Sequence, residues 1–362
     1  SFTPLPFSIS LVLSLLQLSA LALYIKKINA YHQRLNLFLK TISNYLPLVR
    51  LIHDQSFRSP YLQKIRHSLF NSLQALTQLH RIQNSLDQRG NIVIAFILNG
   101  LYLKDFHTLL RLDHWRKKYG PDIETWTDVL SEADALISMA NYRFNHPAYC
   151  LPVICQDRLL DTEEIGHPLL KSERNVTNDF SIRSLHQIAI VTGANMAGKS
   201  TFLRTIGVNL ILAQSGNVVC SRYFAFQPMT LFTSMRTTDS LSKDTSYFHA
   251  ELLRLQQLVN IAQQEDKVFI ILDEMLKGTN SVDKLNGSLA FLKRILSYPI
   301  SGLVATHDLA LGELADDFPE HFFNVCFEIV HSGSQITYDY KLHPGISSNM
   351  NASILLKQMG LI

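Results

Sequence analysis

Eight residues, Gly193-Ala194-Asn195-Met196-Ala197-Gly198-Lys199-Ser200, follow directly on the apolar run Ile188 to Val191 and lead into a stretch of helical character. No other feature limits the fold of this chain as sharply. Two glycines in a short loop let consecutive backbone N–H groups turn inward, and a helix that starts at the end of the loop adds its own free N–H groups and the positive end of its dipole. Such a loop suits a polyphosphate: Lys199 reaches the β and γ phosphates and Ser200 offers a hydroxyl to Mg²⁺. A chance match to the full spacing has a probability on the order of one per cent in a chain of this length. The loop needs a strand before it and a helix after it, so the fold must be α/β at this point.

Other apolar runs complete that picture. Val268 to Leu272, Leu303 to Ala305 and Val325 to Val330 alternate with helical stretches, and runs without polar alternation are strands buried on both faces, as in a largely parallel sheet covered by helices. One run ends in Ile271-Leu272-Asp273-Glu274, which sets two carboxylates at the C-terminal edge of the sheet, where open α/β folds bind ligands. Asp273 suits the metal shell and Glu274 the polarisation of an attacking water. Another run ends in Thr306-His307-Asp308. A histidine past a strand end is more often a loop residue with a local hydrogen bond, but beside this edge His307 is a candidate sensor of the γ-phosphate or the water.

The front of the chain is different. Between Ile28 and Arg143 there are three Gly and three Pro, and Leu69, Leu73, Leu76, Leu79 and Leu86 recur at helical spacing, which predicts long helices broken at Ser59-Pro60, Arg89-Gly90 and Gly120-Pro121. From Lys26 to Lys118 there are 15 basic residues and four acidic ones, against 16 and 17 from Gly166 to the end. The excess is a solvated helical face, a surface that tracks phosphates, or one that faces anionic lipid. Phe7 to Ile25 carries no charge over nineteen residues, close to a bilayer core in length, although four Ser and one Gln dilute it; it is a candidate membrane span with Lys26 and Lys27 on the cytoplasmic side, or a helix buried in a bundle. The chain opens on Ser1 rather than Met, which predicts upstream sequence in a longer protein. Cys150, Cys155, Cys220 and Cys326 form no C-x-x-C pair, and no H-E-x-x-H occurs, so structural zinc is not expected and the thiols read as buried residues of a reducing, cytoplasmic compartment.

With these residues in hand, the segment from Glu164 to the end resembles the ATPase domain of the MutS mismatch-repair family, a branch of the ABC ATPases. Gly166-His167-Pro168 resembles its entry motif, VTGANMAGKSTFLRTIG (Val191 to Gly207) its extended P-loop, Asp239 to Glu251 its signature segment, LDEMLKGTNSVD (Leu272 to Asp283) its Walker B and D-loop, and ATHD (Ala305 to Asp308) its switch histidine. The sequence departs from the family at Lys243-Asp244, at Leu276 where a Gly is usual, and at Ala194 and Ala197 where Pro and Gly are usual. The resemblance implies an α/β P-loop NTPase domain of ABC type over residues 151–362, preceded by an all-α core and lever domain over 28–150 and the apolar segment 1–27. It implies ATP and Mg²⁺ as cofactors, held by Gly193 to Thr201 and by Ser200 and Asp273, with Glu274, His307 and Lys199 catalytic and Val176 near the adenine. It further implies a homodimer in which Ser246 touches the γ-phosphate of the partner, and mismatched or structured duplex DNA as the ligand. The competing expectation is a membrane-associated ABC-type ATPase, contacting the membrane through residues 7–25 and anchored to its inner face, that acts on a non-DNA partner. A transporter would carry an L-S-G-G-Q loop, which is absent, and a dead nucleotide site would lack Lys199 or Glu274, which are present.

Overall fold

The computed structural model describes residues 41–87, 102–235 and 247–347, apart from residues 43, 195, 333 and 334, together with a few isolated positions before residue 100. The chain divides into two compact units, Ser1–Ala140 and Asn141–Ile362.

The described part of the first unit is helical. Its helices are α1 (Leu46–Asp54), α2 (Pro60–Ser68), α3 (Phe70–Asp87), α4 (Lys104–Tyr119) and α5 (Ile123–Asn145), the last of which crosses the division. Ser59-Pro60 starts α2 as the sequence predicts, because a proline at the first helical position gives up only an N–H that has no partner there. Gly120-Pro121 forms a single 3₁₀ turn between α4 and α5. The leucine ladder does not make one helix: α2 stops at Ser68 and α3 begins at Phe70, with Leu69 buried in the break. Leu69, Leu76, Leu79 and Trp115 share a core in which the Trp115 indole N–H donates to Ala75 O at 2.8 Å, so the ring is buried with its polar group satisfied. The break predicted at Arg89-Gly90 lies outside the described residues. So does the apolar run 7–25, apart from residues 9, 12 and 19. Among the described residues, no helix is long and apolar enough to cross a membrane.

The second unit carries two sheets. Strands β1 (Val153–Ile154), β2 (Leu160–Ile165), β3 (Asn178–Ile182) and β5 (Tyr223–Phe226) form the smaller one, in the order β1-β5-β2-β3. The larger one contains β4 (Ile188–Gly193), β6 (Thr230–Ser234), β7 (Val268–Asp273), β8 (Ile300–Ala305), β9 (Phe322–Ser332) and β10 (Gln335–Pro344), in the order β10-β9-β4-β8-β7-β6. All its pairings are parallel except β9 with β10, an antiparallel hairpin at the edge. The helices are α6 (Lys199–Gln214), α7 (Tyr247–Ala262), α8 (Ser281–Ile295) and the short α9 (Leu314–Asp317).

The strands read as unbroken apolar runs because both faces of the sheet are covered. Ala189 and Val191 of β4 join Phe269 and Ile271 of β7 in a core that also holds Phe202, Leu203 and Ile206 of α6. Their alternates Ile188, Ile190, Ile270 and Leu272 pack with Leu255 and Leu258 of α7 and Leu292 of α8 in a second core. Gly302 of β8 lies opposite Ile270, at φ +148°, where a Cβ would stand 2.0 Å from Ile270 O. Only glycine fits the close approach of these two strands. Of the four thiols, all free, Cys220 and Cys326 are buried, whereas Cys150 and Cys155 are only partly so, a correction to the expectation of four buried thiols.

Candidate functional site

Parallel pairing brings the sequence motifs together. Val191 pairs with Ala305 and Asp273 pairs with the same Ala305, so β4, β8 and β7 lie side by side and their C-terminal ends finish level. The loop after β4, the acids at the end of β7 and the histidine after β8 therefore open on one edge. Backbone bonds tie them: Thr306 N donates to Val191 O at 3.0 Å and Glu274 N to Ala305 O at 3.0 Å.

The loop Gly193 to Gly198 takes the shape its glycines allow. Gly193 (φ +143°) lies so close to β9 that a Cβ would meet Phe327 O at 2.7 Å, and Gly198 (φ +116°) precedes α6. Met196 is also left-handed, at φ +67°, with its side chain out in solvent, while Ala197 is buried. Lys199 opens α6 and is buried; its ammonium donates to Gly193 O at 2.6 Å and Ala194 O at 2.9 Å and lies 3.5 Å from His307 Nδ1. Burial pushes it down to about 8, against the pull of Glu274 and Asp273 in the other direction. Ser200 and Thr201 follow in the first turn of α6, half-buried and exposed respectively. Asn195 and Ser246 lie outside the described residues.

Glu274 is the centre of charge at this edge. Its Oε1 meets His307 Nε2 at 2.9 Å and its Oε2 lies 3.4 Å from Lys277 Nζ. The hydrogen bond to His307 is the main cause that holds its carboxyl down to about 2, with the His307 and Lys277 charges adding and burial opposing. Glu274 sits at φ +58° and Leu276 at φ +57°. Leu276, standing where a glycine is usual in the resembled motif, thus takes a conformation that costs a branched residue strain. Its side chain is buried against Gly287 of α8, where a Cβ would come within 2.7 Å of Leu276 Cδ1. A glycine in a helix makes room for a leucine in the turn.

Beside the loop is a cavity of about 460 Å³ whose lining includes His167, Val176, Gly198, Thr201, Phe327 and Tyr340. Val176, expected near the adenine, lines this cavity. Tyr340 was not legible as a site residue. It comes from β10, where the register with β9 shifts between Tyr338 and Leu342 and Tyr340 sits at φ +55°. The bulge brings the ring to 3.3 Å from the Cβ position of Gly198. Asn178 fixes it, donating to Tyr340 O at 3.1 Å and accepting from Leu342 N at 2.7 Å. Burial, with the Arg204 charge adding, lowers His167 and so favours its neutral form at the cavity wall.

These residues suit a nucleotide and a divalent cation. Among the described residues the buried ammonium has loop carbonyls and an imidazole as partners, and Ser200 and Asp273 offer oxygen donors, the set that Mg²⁺ takes. Among the described residues there is no cluster of His, Cys and acidic side chains that would hold a metal by protein ligands alone.

Comparison with known proteins agrees with this geometry. Residues 189–358 match the family described as MutS domain V. The chain is 28% identical over 307 residues to MutS protein homolog 4 of Mus musculus, covering 80% of this chain and 30% of that protein. It is 28% identical over 235 residues to the DNA mismatch repair protein MutS of Ehrlichia ruminantium strain Gardel, covering 64% of this chain and 28% of that one. It is 32% identical over 203 residues to the DNA mismatch repair protein MutS of Desulfatibacillum aliphaticivorans, covering 54% and 22%. The chain spans less than a third of the length of each of these relatives. The matched domain and the named relatives support the MutS family for this chain, with a mixed α/β sheet domain consistent with MutS domain V.

Proposed function

We propose that this chain binds and hydrolyses ATP with Mg²⁺ and, as a dimer through its α/β domain, drives a MutS-type clamp on mismatched or structured duplex DNA. The observation that carries this reading is the chain of contacts from Lys199 in the phosphate loop through His307 to Glu274 at the end of β7. It joins a buried cation, an imidazole and an ionised carboxylate at one sheet edge, which is what phosphoryl transfer to water asks of a protein. When bound, ATP supplies the phosphoryl group and Mg²⁺ the neutralisation of its charge.

The chain's own residues would do the rest. Lys199 exchanges its two loop carbonyls for phosphate oxygens, and Ser200 and Asp273 hold the metal shell. Glu274, ionised at pH 7, accepts the proton side of a water, and His307 keeps it oriented. Tyr340 and Val176 close the cavity around the base. Ser246 of one copy would complete the site of the other. The basic region 28–150 would carry the core and lever that link DNA to this domain.

The test is phosphate release by the purified chain with Mg²⁺ and ATP, beside Glu274→Gln. Glu274→Gln keeps nucleotide bound and turns over at least tenfold slower, a loss of roughly 1.4 kcal/mol or more in transition-state stabilisation. Equal turnover in the two proteins would remove Glu274 from this role, and no Mg²⁺-dependent release from either would overturn the hydrolytic reading.

A further inference from the structure

Glu251 lies in the second turn of α7, buried, and both of its carboxylate oxygens are spent on one backbone turn. Oε1 accepts from Leu276 N at 2.7 Å and Oε2 from Lys277 N at 2.8 Å. That turn carries Glu274, two residues earlier. It is also a turn that does not hold itself, since Glu274 and Leu276 are both left-handed, at φ +58° and +57°, and neither is glycine. Two such residues within three positions persist only where the surroundings dictate them. Within the turn, Glu274 N is bound to Ala305 O, which fixes the strand end and leaves the following residues to find other acceptors. Glu251 is the acceptor for two of them, Leu276 N and Lys277 N.

We propose that Glu251 is a positioning residue: through the Leu276 and Lys277 amides it holds the left-handed turn that aims the Glu274 carboxylate at His307. This rests on the hydrolytic reading of the site. The cost of placing the acid there supports a specific purpose: burial raises the Glu251 carboxyl, and the two amide bonds with the Lys277 and Lys284 charges offset only part of that rise. A neutral apolar side chain would fill the space without that cost but would leave two buried N–H groups without acceptors. The helix that carries Glu251 is itself tethered: Arg254, one position short of a turn further on, donates to Thr233 O of β6 at 2.9 Å and lies 4.3 Å over the Phe232 ring. The first turn of α7 directly follows Ser246 in the sequence.

The experiment compares the parent chain with Glu251→Gln and Glu251→Asp by steady-state ATP hydrolysis, fluorescent-nucleotide affinity and amide hydrogen exchange over residues 274–277. A carboxamide accepts through one oxygen only, so Glu251→Gln loses one of the two bonds. Expected are protected Leu276 and Lys277 amides in the parent, faster exchange at these amides in Glu251→Gln, a fall in kcat of about tenfold, and nucleotide affinity within about twofold of the parent. Glu251→Asp keeps two acceptors and recovers part of the rate. An unchanged kcat, or a loss of affinity equal to the loss of rate, overturns the proposal. Should Glu251→Gln fail to fold, Glu251→Asp and the parent decide, because unprotected amides in the parent overturn it on their own. A parent that hydrolyses no ATP refutes the hydrolytic reading separately, while exchange at the two amides still reports whether Glu251 holds the turn.

Discussion

Lys199→Met separates what the lysine costs the empty site from what it does for a ligand. In the parent the ammonium is 6% exposed and held at about 8, below its ordinary 10.5, with burial the main cause. The charged form is therefore disfavoured in the folded chain by about 3 kcal/mol at neutral pH, at 1.36 kcal/mol per unit. The unfolded chain binds more protons than the folded one between about pH 8 and 10.5, so the stability of the parent rises with pH across that window. From pH 7 to 9.5 the gain from this one group is about 2 kcal/mol. Met fills the buried stem without the charge, so Lys199→Met is at least as stable as the parent at pH 7 and lacks this rise. Urea unfolding of both proteins at pH 7 and 9.5, without nucleotide, measures it. With nucleotide bound as proposed, the gap narrows at pH 7 and reverses at pH 9.5, because at a hundredfold excess over Kd the parent gains about 2.7 kcal/mol and the variant, without the phosphate contact, gains nothing. A stability difference that does not change with pH, or a variant more than about 2 kcal/mol weaker than the parent at pH 7, would refute the account of a buried, burdened ammonium.

Gly302→Ala forces a Cβ to 2.0 Å from Ile270 O and 2.6 Å from Ile270 N, between the strands that carry Glu274 and His307. We expect a loss of about 4 kcal/mol or more in urea unfolding, and a cost under about 1 kcal/mol would show that the strands do not pack as described. Replacing Arg116, Lys117 and Lys118 together tests the basic helices: Arg116 and Lys117 already pair with Asp113 at 3.1 and 2.7 Å on the exposed face of α4, and phosphates would have to compete for them. If this face binds DNA, the log-log salt slope flattens by up to about three units, and an unmoved slope removes these residues from any DNA surface.

Local sequence was enough for much of this. The strand β4, the turn of glycines and the helix behind Lys199 are each fixed by neighbours within the same fifteen residues, because a glycine's freedom and a helix's free N–H groups are local properties. The apolar runs of β7 and β8 announced strands covered on both faces for a similar reason. The leucine ladder marked a buried stripe and missed the break at Leu69, since periodicity reports which side faces the core and says nothing about where the backbone turns.

What only the tertiary structure decided is which distant residues meet. The order β4-β8-β7 sets the loop Gly193 to Gly198 beside the acids and the histidine, and that order depends on crossovers that no local pattern records. Tyr340 enters the cavity beside the loop through a bulge on an edge hairpin, a shift of register that reads in sequence as ordinary alternation. Leu276 looked like a departure from its motif until Gly287, on another helix, proved to leave space for it and Glu251 to hold its amide. Such compensation joins residues far apart in the chain. It is set by volume, by close approach of backbone and by the need to satisfy buried N–H groups, quantities that exist only once the chain has folded.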